Sequence, residues 1–99
     1  MSTMFDLSTP RRVHVVGVGG PGMSAIAQVL AQMGNVVSGS DVRESEAIER
    51  LRALGVAINI GHDPRAVDGC DAVTASSAIP QSNSELREAT ALGITTLTR

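Results

Sequence analysis

Gly17-Val18-Gly19-Gly20-Pro21-Gly22-Met23-Ser24 is the stretch whose reading decides the fold. Gly17, Gly19 and Gly22 satisfy G-x-G-x-x-G, and the run lies between a β-branched segment and a segment of helical period. Glycines permit a tight turn and let backbone N–H groups come close to a diphosphate, while the start of the next helix adds partial positive charge. The pattern alone is weak; its place between an expected strand and an expected helix gives it weight. The plainer reading is a glycine-rich turn that only packs helix against sheet.

Working outward, Arg12 to Val18 reads as the first strand. Gly22 to Met33 reads as the first helix, with Met23, Ile26, Ala27, Leu30 and Met33 on one stripe. One phrase then recurs: Met33-Gly34-Asn35-Val36-Val37, Leu54-Gly55-Val56-Ala57-Ile58 and Leu92-Gly93-Ile94-Thr95-Thr96 each read as helix end, glycine, strand. The second strand is expected over Val36–Gly39. The second helix is expected over Ser45–Leu54, burying Ile48, Leu51 and Leu54 and pairing Glu46 with Arg50 on its outer face. A third strand over Val56–Ile60 leads through a loop, Gly61–Gly69, to a fourth over Asp71–Ala75. Ser82 with Glu85 three residues on forms a capping box for a last helix with Leu86, Ala89 and Leu92 on its apolar stripe. Ile94–Leu97 is the fifth strand. Strands joined by helical crossovers are parallel and the crossovers right-handed. The fold class is therefore α/β: a Rossmann-like, doubly wound parallel sheet of five strands in the order 3-2-1-4-5, in three αβα layers. Ligands of such a sheet bind at the carboxyl ends of the strands, where the order reverses between strands 1 and 4.

The loops at that end carry the candidate residues. Asp41 stands 19 residues past Gly22, near the spacing at which an acid in dinucleotide folds bonds ribose hydroxyls. It also reads as a solvated loop acid or a cap for the second helix, and the pattern does not separate NAD, FAD or another nucleotide. His62, in Gly61-His62-Asp63, suits a base or sugar contact or an ordinary polar loop. Ser76-Ser77-Ala78-Ile79-Pro80 lies across the crevice from the glycine loop, either completing a phosphate or base site or forming a plain turn. His14, inside the first strand, reads as structural.

Composition narrows the classes. The chain has 99 residues, enough for one small domain that hides roughly 60–65% of the surface its unfolded form exposes. Hydrophobic residues make up 42%, yet Phe5 is the only aromatic, so the core must be aliphatic and no base-stacking platform exists. A net charge of −2 and a pI near 5.5 argue against nucleic-acid or membrane-surface binding. One cysteine, Cys70, fits a reducing compartment and a packing role. All eight basic residues are arginine, which removes any lysine-dependent phosphate loop or Schiff base. Two histidines and one cysteine make no recognised zinc spacing, and G-x-S-x-G is absent. No signal peptide or membrane span is visible. Residues 1–12 read as a flexible polar arm, residues 13–99 as one cytoplasmic binding domain.

The run from His14 to Ala27, His14-Val15-Val16-Gly17-Val18-Gly19-Gly20-Pro21-Gly22-Met23-Ser24-Ala25-Ile26-Ala27, resembles the opening motif of the Mur ligases. Val37-Ser38-Gly39-Ser40-Asp41, Gly61-His62, Ser76-Ser77-Ala78-Ile79-Pro80, Asn83, Glu85 and Arg99 follow in the same order, so the resemblance spans residues 13 to 99. Pro21 departs from the family's usual small residue and takes one N–H from the loop; Ser84 replaces the usual proline. The resemblance implies a step of peptidoglycan stem-peptide assembly. ATP phosphorylates the lactyl carboxylate of UDP-N-acetylmuramate, and L-alanine attacks the acyl phosphate to give an amide, ADP and phosphate. It also implies three domains: a first that holds the UDP part, a central one for ATP and magnesium, and a last for the amino acid.

This chain matches the first alone and, lacking the lysine of a Gly-Lys-Thr loop, is expected to bind UDP-N-acetylmuramate and to catalyse nothing. By the same resemblance Gly17, Gly19, Gly20, Gly22, Met23 and Ser24 surround the diphosphate. Ser40, Asp41 and His62 lie toward the uridine, and Ser76, Ser77 and Ala78 close the opposite wall. No catalytic or metal-binding residue is expected in the chain. The alternatives are the related ligase that joins an intact tripeptide to UDP-N-acetylmuramate, an NAD(P)-binding half of an oxidoreductase, and a nucleotide-sensing regulatory module.

Overall fold

The computed structural model describes residues 11–98. Five strands and three helices alternate: β1 (Arg12–Val16), α1 (Pro21–Gln32), β2 (Val36–Asp41), α2 (Glu46–Ala53), β3 (Ala57–Ile60), β4 (Ala72–Ala75), α3 (Ser84–Ala91) and β5 (Thr95–Thr98). A turn of 3-10 helix, Pro64–Val67, precedes β4. The sheet is wholly parallel in the order β3-β2-β1-β4-β5. That is the expected doubly wound order, with the switch between β1 and β4.

Successive strand residues face opposite layers, and the sequence uses that alternation. Val15, with Val37 of β2, meets Met23 and Ala27 of α1 and Ile48 and Leu51 of α2. Val16, one residue on, joins Val73, Ala75, Val67, Leu86 and Ala89 on the other face, beneath α3 and the 3-10 turn. Both clusters are aliphatic. The central strands are buried on both faces, as all-parallel sheets require, while β3 is mostly exposed at one edge.

Several element ends differ from expectation for identifiable reasons. β1 stops at Val16 rather than Val18 because Gly17 and Val18 both turn their N–H groups to the Ser40 carbonyl, at 2.8 and 3.0 Å. β2 runs on to Asp41 because β3 stays in register to Asp41↔Ile60. Met33, Leu54 and Leu92 were expected in the core, but each is about half exposed. Each is a helix C-cap directly before a glycine at positive φ (Gly34, Gly55, Gly93), so the chain turns away just where the stripe would complete another turn.

The capping box at Ser82 does not form. Asn83 is the N-cap, its Oδ1 accepting from the Glu85 and Leu86 N–H groups at 2.9 and 3.3 Å, and the Glu85 side chain turns inward instead of back to Ser82. The ion pair found beside α2 is Arg52–Glu44 at 2.7 Å, exposed and of small energetic worth, rather than Glu46 with Arg50. Cys70 packs against the α3-side cluster, and burial pushes its thiol pKa up. Residues 1–10 of the expected arm lie outside the described residues. Arg11 and Arg12 belong to the fold: their N–H groups donate to Asn35 Oδ1 and Asp71 Oδ2 at 3.0 and 2.8 Å.

Candidate functional site: the crevice over the glycine loop

The glycine loop divides into a braced half and an open half. Gly17, at φ +76°, and Val18 donate to the Ser40 carbonyl, and the Gly19 N–H donates to Asp41 Oδ2 at 2.8 Å. Gly20 donates weakly back to the Gly17 carbonyl at 3.2 Å. Four consecutive amides are thus occupied within the protein. Gly20 then caps α1 and Pro21 takes its first position, where a missing N–H costs nothing and the fixed φ suits the helix. The first intrahelical bond runs from Ser24 N–H to the Gly20 carbonyl at 2.8 Å. Among the described residues the N–H groups of Gly22 and Met23 have no acceptor, at the positive end of a 12-residue helix. These two amides, unlike those of the earlier glycines, are left open by the fold.

Two cavities meet over this loop and share Gly17 and Gly20. One, of about 540 Å³, is lined by Gly20, Pro21, Gly22 and Met23 on one side and by Ser76, Ser77 and Ala78 on the other. The other, of about 370 Å³, is lined by Gly19, Asp41, Arg43, Ser45 and Ile79. Together they form a crevice across the switch point, with Ser76 and Ser77 lining it opposite the start of α1. Ile79 closes the β4 side above Gly17, where an added Cβ would come within 3.0 Å of its Cδ1.

The residues singled out from the sequence fall into three groups. Gly17, Gly20, Gly22, Met23, Ser76, Ser77 and Ala78 line the first cavity, and Gly19 and Asp41 the second. Asp41 does not cap α2, a task that falls to Ser45, whose Oγ accepts from Ile48 N–H at 3.3 Å. Ser24 stands outside the crevice, with its hydroxyl on the Pro21 carbonyl at 3.2 Å and its flank in a recess between α1 and α2. Ser40 and His62 line neither cavity; they point to the α3 side of the sheet, into a buried network that sequence reasoning missed.

At the centre of that network is Glu85, fully buried at the start of α3. Its Oε1 accepts from Ser40 Oγ at 2.6 Å and from His14 Nε2 at 2.9 Å, and its Oε2 accepts from the Asp63 N–H at 2.9 Å. Burial raises the Glu85 carboxyl, but the hydrogen bonds from His14, Ser40 and the Asp63 N–H outweigh it, and the group is held below the ordinary carboxylate range. An ionised carboxylate only accepts, so His14 carries its proton on Nε2 and Ser40 donates. Ser40 Oγ in turn receives His62 Nδ1 at 3.0 Å, and Ser38 Oγ sits 2.8 Å from His14 Nδ1. The sequence signals were Glu85's place in the family pattern and its position on what would otherwise be the apolar stripe of α3, one residue before Leu86; neither showed that it is buried.

A doubly wound parallel sheet with a glycine loop and a helix N-terminus at its switch point, and Ser76 and Ser77 lining the crevice opposite, defines a Rossmann-like domain. The profile of the Mur ligase family, catalytic domain, matches residues 12–99. The chain belongs to the Mur ligase family. It is 51% identical over 89 residues to the UDP-N-acetylmuramate–L-alanine ligase of Persephonella marina, covering 90% of this chain and 19% of that relative. Its backbone matches the UDP-N-acetylmuramate–alanine ligase MurC of Thermotoga maritima with a TM-score of 0.85 and 34% identity, over 90% of this chain and 21% of that one. It also matches the UDP-N-acetylmuramate:L-alanyl-γ-D-glutamyl-meso-diaminopimelate ligase of Neisseria meningitides, with a TM-score of 0.81 over 91% of this chain and 29% of that one. At 22% identity that match speaks for the fold alone. The chain spans about a fifth of the length of the curated relatives it matches. Among the described residues no helix is long and apolar enough to cross a membrane.

Proposed function

We propose that this chain is the UDP-sugar-holding domain of a ligase that joins L-alanine to UDP-N-acetylmuramate in peptidoglycan assembly. The observation that carries the reading is the crevice itself. Gly22 and Met23, whose N–H groups have no acceptor among the described residues, lie across a space of about 540 Å³ from Ser76, Ser77 and Ala78. A diphosphate placed there accepts from both amides, in the field of the α1 N-terminus, with serine hydroxyls on its far side. Gly17 and Gly20 keep the floor free of side chains. The second cavity, beside Asp41 and Arg43, takes the uridine, with the Asp41 carboxylate offering an acceptor to ribose hydroxyls. Ser40 and His62 act on this side through the backbone of β2, not by touching the ligand. Relatives near 50% identity that bear the L-alanine ligase name favour this reading over the tripeptide-joining ligase.

The chemistry belongs to the rest of a longer protein. This chain has no lysine for a Gly-Lys-Thr loop, and its described residues include no group of three or more histidine, cysteine, aspartate or glutamate side chains that could hold a metal ion. By the family likeness, ATP, magnesium and the amino acid are assigned to the other domains, and this chain binds and orients the nucleotide sugar without catalysis, in the cytoplasm. Calorimetric titration with UDP-N-acetylmuramate, UDP, NADH and ATP tests the assignment. Binding of the two uridine ligands alone is expected; binding of NADH alone would assign the crevice to an adenine dinucleotide instead.

A further inference from the structure

Glu85 lines neither cavity, yet its contact with Ser40 leads to the glycine loop. Its Oε1 holds the Ser40 hydroxyl at 2.6 Å, and the Ser40 carbonyl receives the N–H groups of Gly17 and Val18 at 2.8 and 3.0 Å. The next residue, Asp41, receives the Gly19 N–H at 2.8 Å. Two residues at the end of β2 thus carry three consecutive amides of the loop, and beside the backbone pairing with β1 and β3 it is Glu85 that holds that end by a buried side chain. It does so from three directions: His14 anchors it to β1, Ser40 to β2, and the Asp63 N–H to the segment after β3. His62 adds a second layer through Ser40 Oγ at 3.0 Å. The half-buried Asp63 carboxylate is turned away, onto Arg65 at 2.9 Å. A leucine at position 85 would continue the α3 stripe with Leu86 and Ala89, so packing alone gives no reason for an acid there.

We propose that Glu85 is a positioning residue of the nucleotide site, holding the glycine loop in its binding shape through Ser40 and Asp41 without touching the ligand. The inference rests on the reading of the crevice as a UDP site. With Glu85 in place, Gly17 to Gly19 are pinned to β2 and the Gly22 and Met23 amides are left facing the crevice. Without it, the end of β2 loses its side-chain anchor and the loop's three braces share one loosened support.

The test compares the wild-type 99-residue chain with Glu85→Gln, Ser40→Ala and Val56→Ala. Val56 is a buried core residue just before β3, at the end of the sheet away from the crevice. Amide spectra of the ligand-free proteins should show Gly17, Val18 and Gly19 displaced in Glu85→Gln and Ser40→Ala and unmoved in Val56→Ala. UDP affinity should fall roughly ten-fold in Glu85→Gln, the scale of a hydrogen bond to a charged group, and stay unchanged in Val56→Ala despite its lower Tm. Unmoved loop amides in both network variants, or an equal loss of affinity in Val56→Ala, would overturn the proposal. Ser40→Ala decides alone should Glu85→Gln not fold. Failure of the wild type to bind UDP would remove the UDP reading, and the ligand-free spectra would still decide the positioning role.

Discussion

Gly20 and Gly39 differ in what a side chain would meet, and the difference separates binding from folding. A Cβ on Gly20 meets only the Gly17 carbonyl at 3.5 Å, and the residue's φ of −66° suits any amino acid. Gly20→Val should therefore keep the sheet, by circular dichroism, while its side chain fills the crevice and abolishes UDP binding. A Cβ on Gly39 lies 2.8 Å from the Val18 Cβ, atoms held by two backbones. Gly39→Ala should cost about 1–3 kcal/mol, read as a drop of about 4–8 °C in Tm for each kcal/mol. Glu85 makes a third residue-scale prediction. Its carboxyl is held below the ordinary value of 4.5, so its stabilising share is complete above that value and is lost as pH falls through the lowered one. Thermal melts of the wild type should lose Tm as pH drops below about 4.5, and Glu85→Gln, which faces the same His14, His62 and Asp63 N–H, should show a flatter acid limb.

Helix ends decide most of what the sequence does and does not disclose at the next scale. The repeated helix–glycine–strand phrase marks three real turns, because Gly34, Gly55 and Gly93 all sit at positive φ, a conformation that L side chains rarely adopt. The strand order follows from the same alternation. Less legible were positions where two local rules compete. Ser82 and Glu85 have the capping-box spacing, but Asn83 lies one residue closer and reaches both the Glu85 and Leu86 amides, which frees Glu85 to turn inward. Asn83→Ala should accordingly cost about 1 kcal/mol in urea unfolding, and Ser82→Ala close to nothing. Equal costs would restore the capping box. The buried network was hidden for another reason: His14, Ser40, His62 and Glu85 come from four separate segments, and no spacing announces that they meet.

At the scale of the whole molecule, the sheet's switch point gathers what the loops carry separately. The glycine motif and the serine turn after β4 were both legible as candidates, and the structure brings them to opposite walls of one cavity. Which amides of the motif remain open was not legible, since it depends on Ser40 and Asp41 engaging the first three. Those three are the brace; Gly22 and Met23 are the open donors. Isotope-edited NMR titration of the 99-residue chain with UDP tests that division most directly. The account predicts that the Gly22, Met23, Ser77 and Ala78 amides shift strongly while Gly17 and Val18 move little, their hydrogen bonds to Ser40 intact. Shifts confined to residues outside the crevice, or none at saturating UDP, would contradict it.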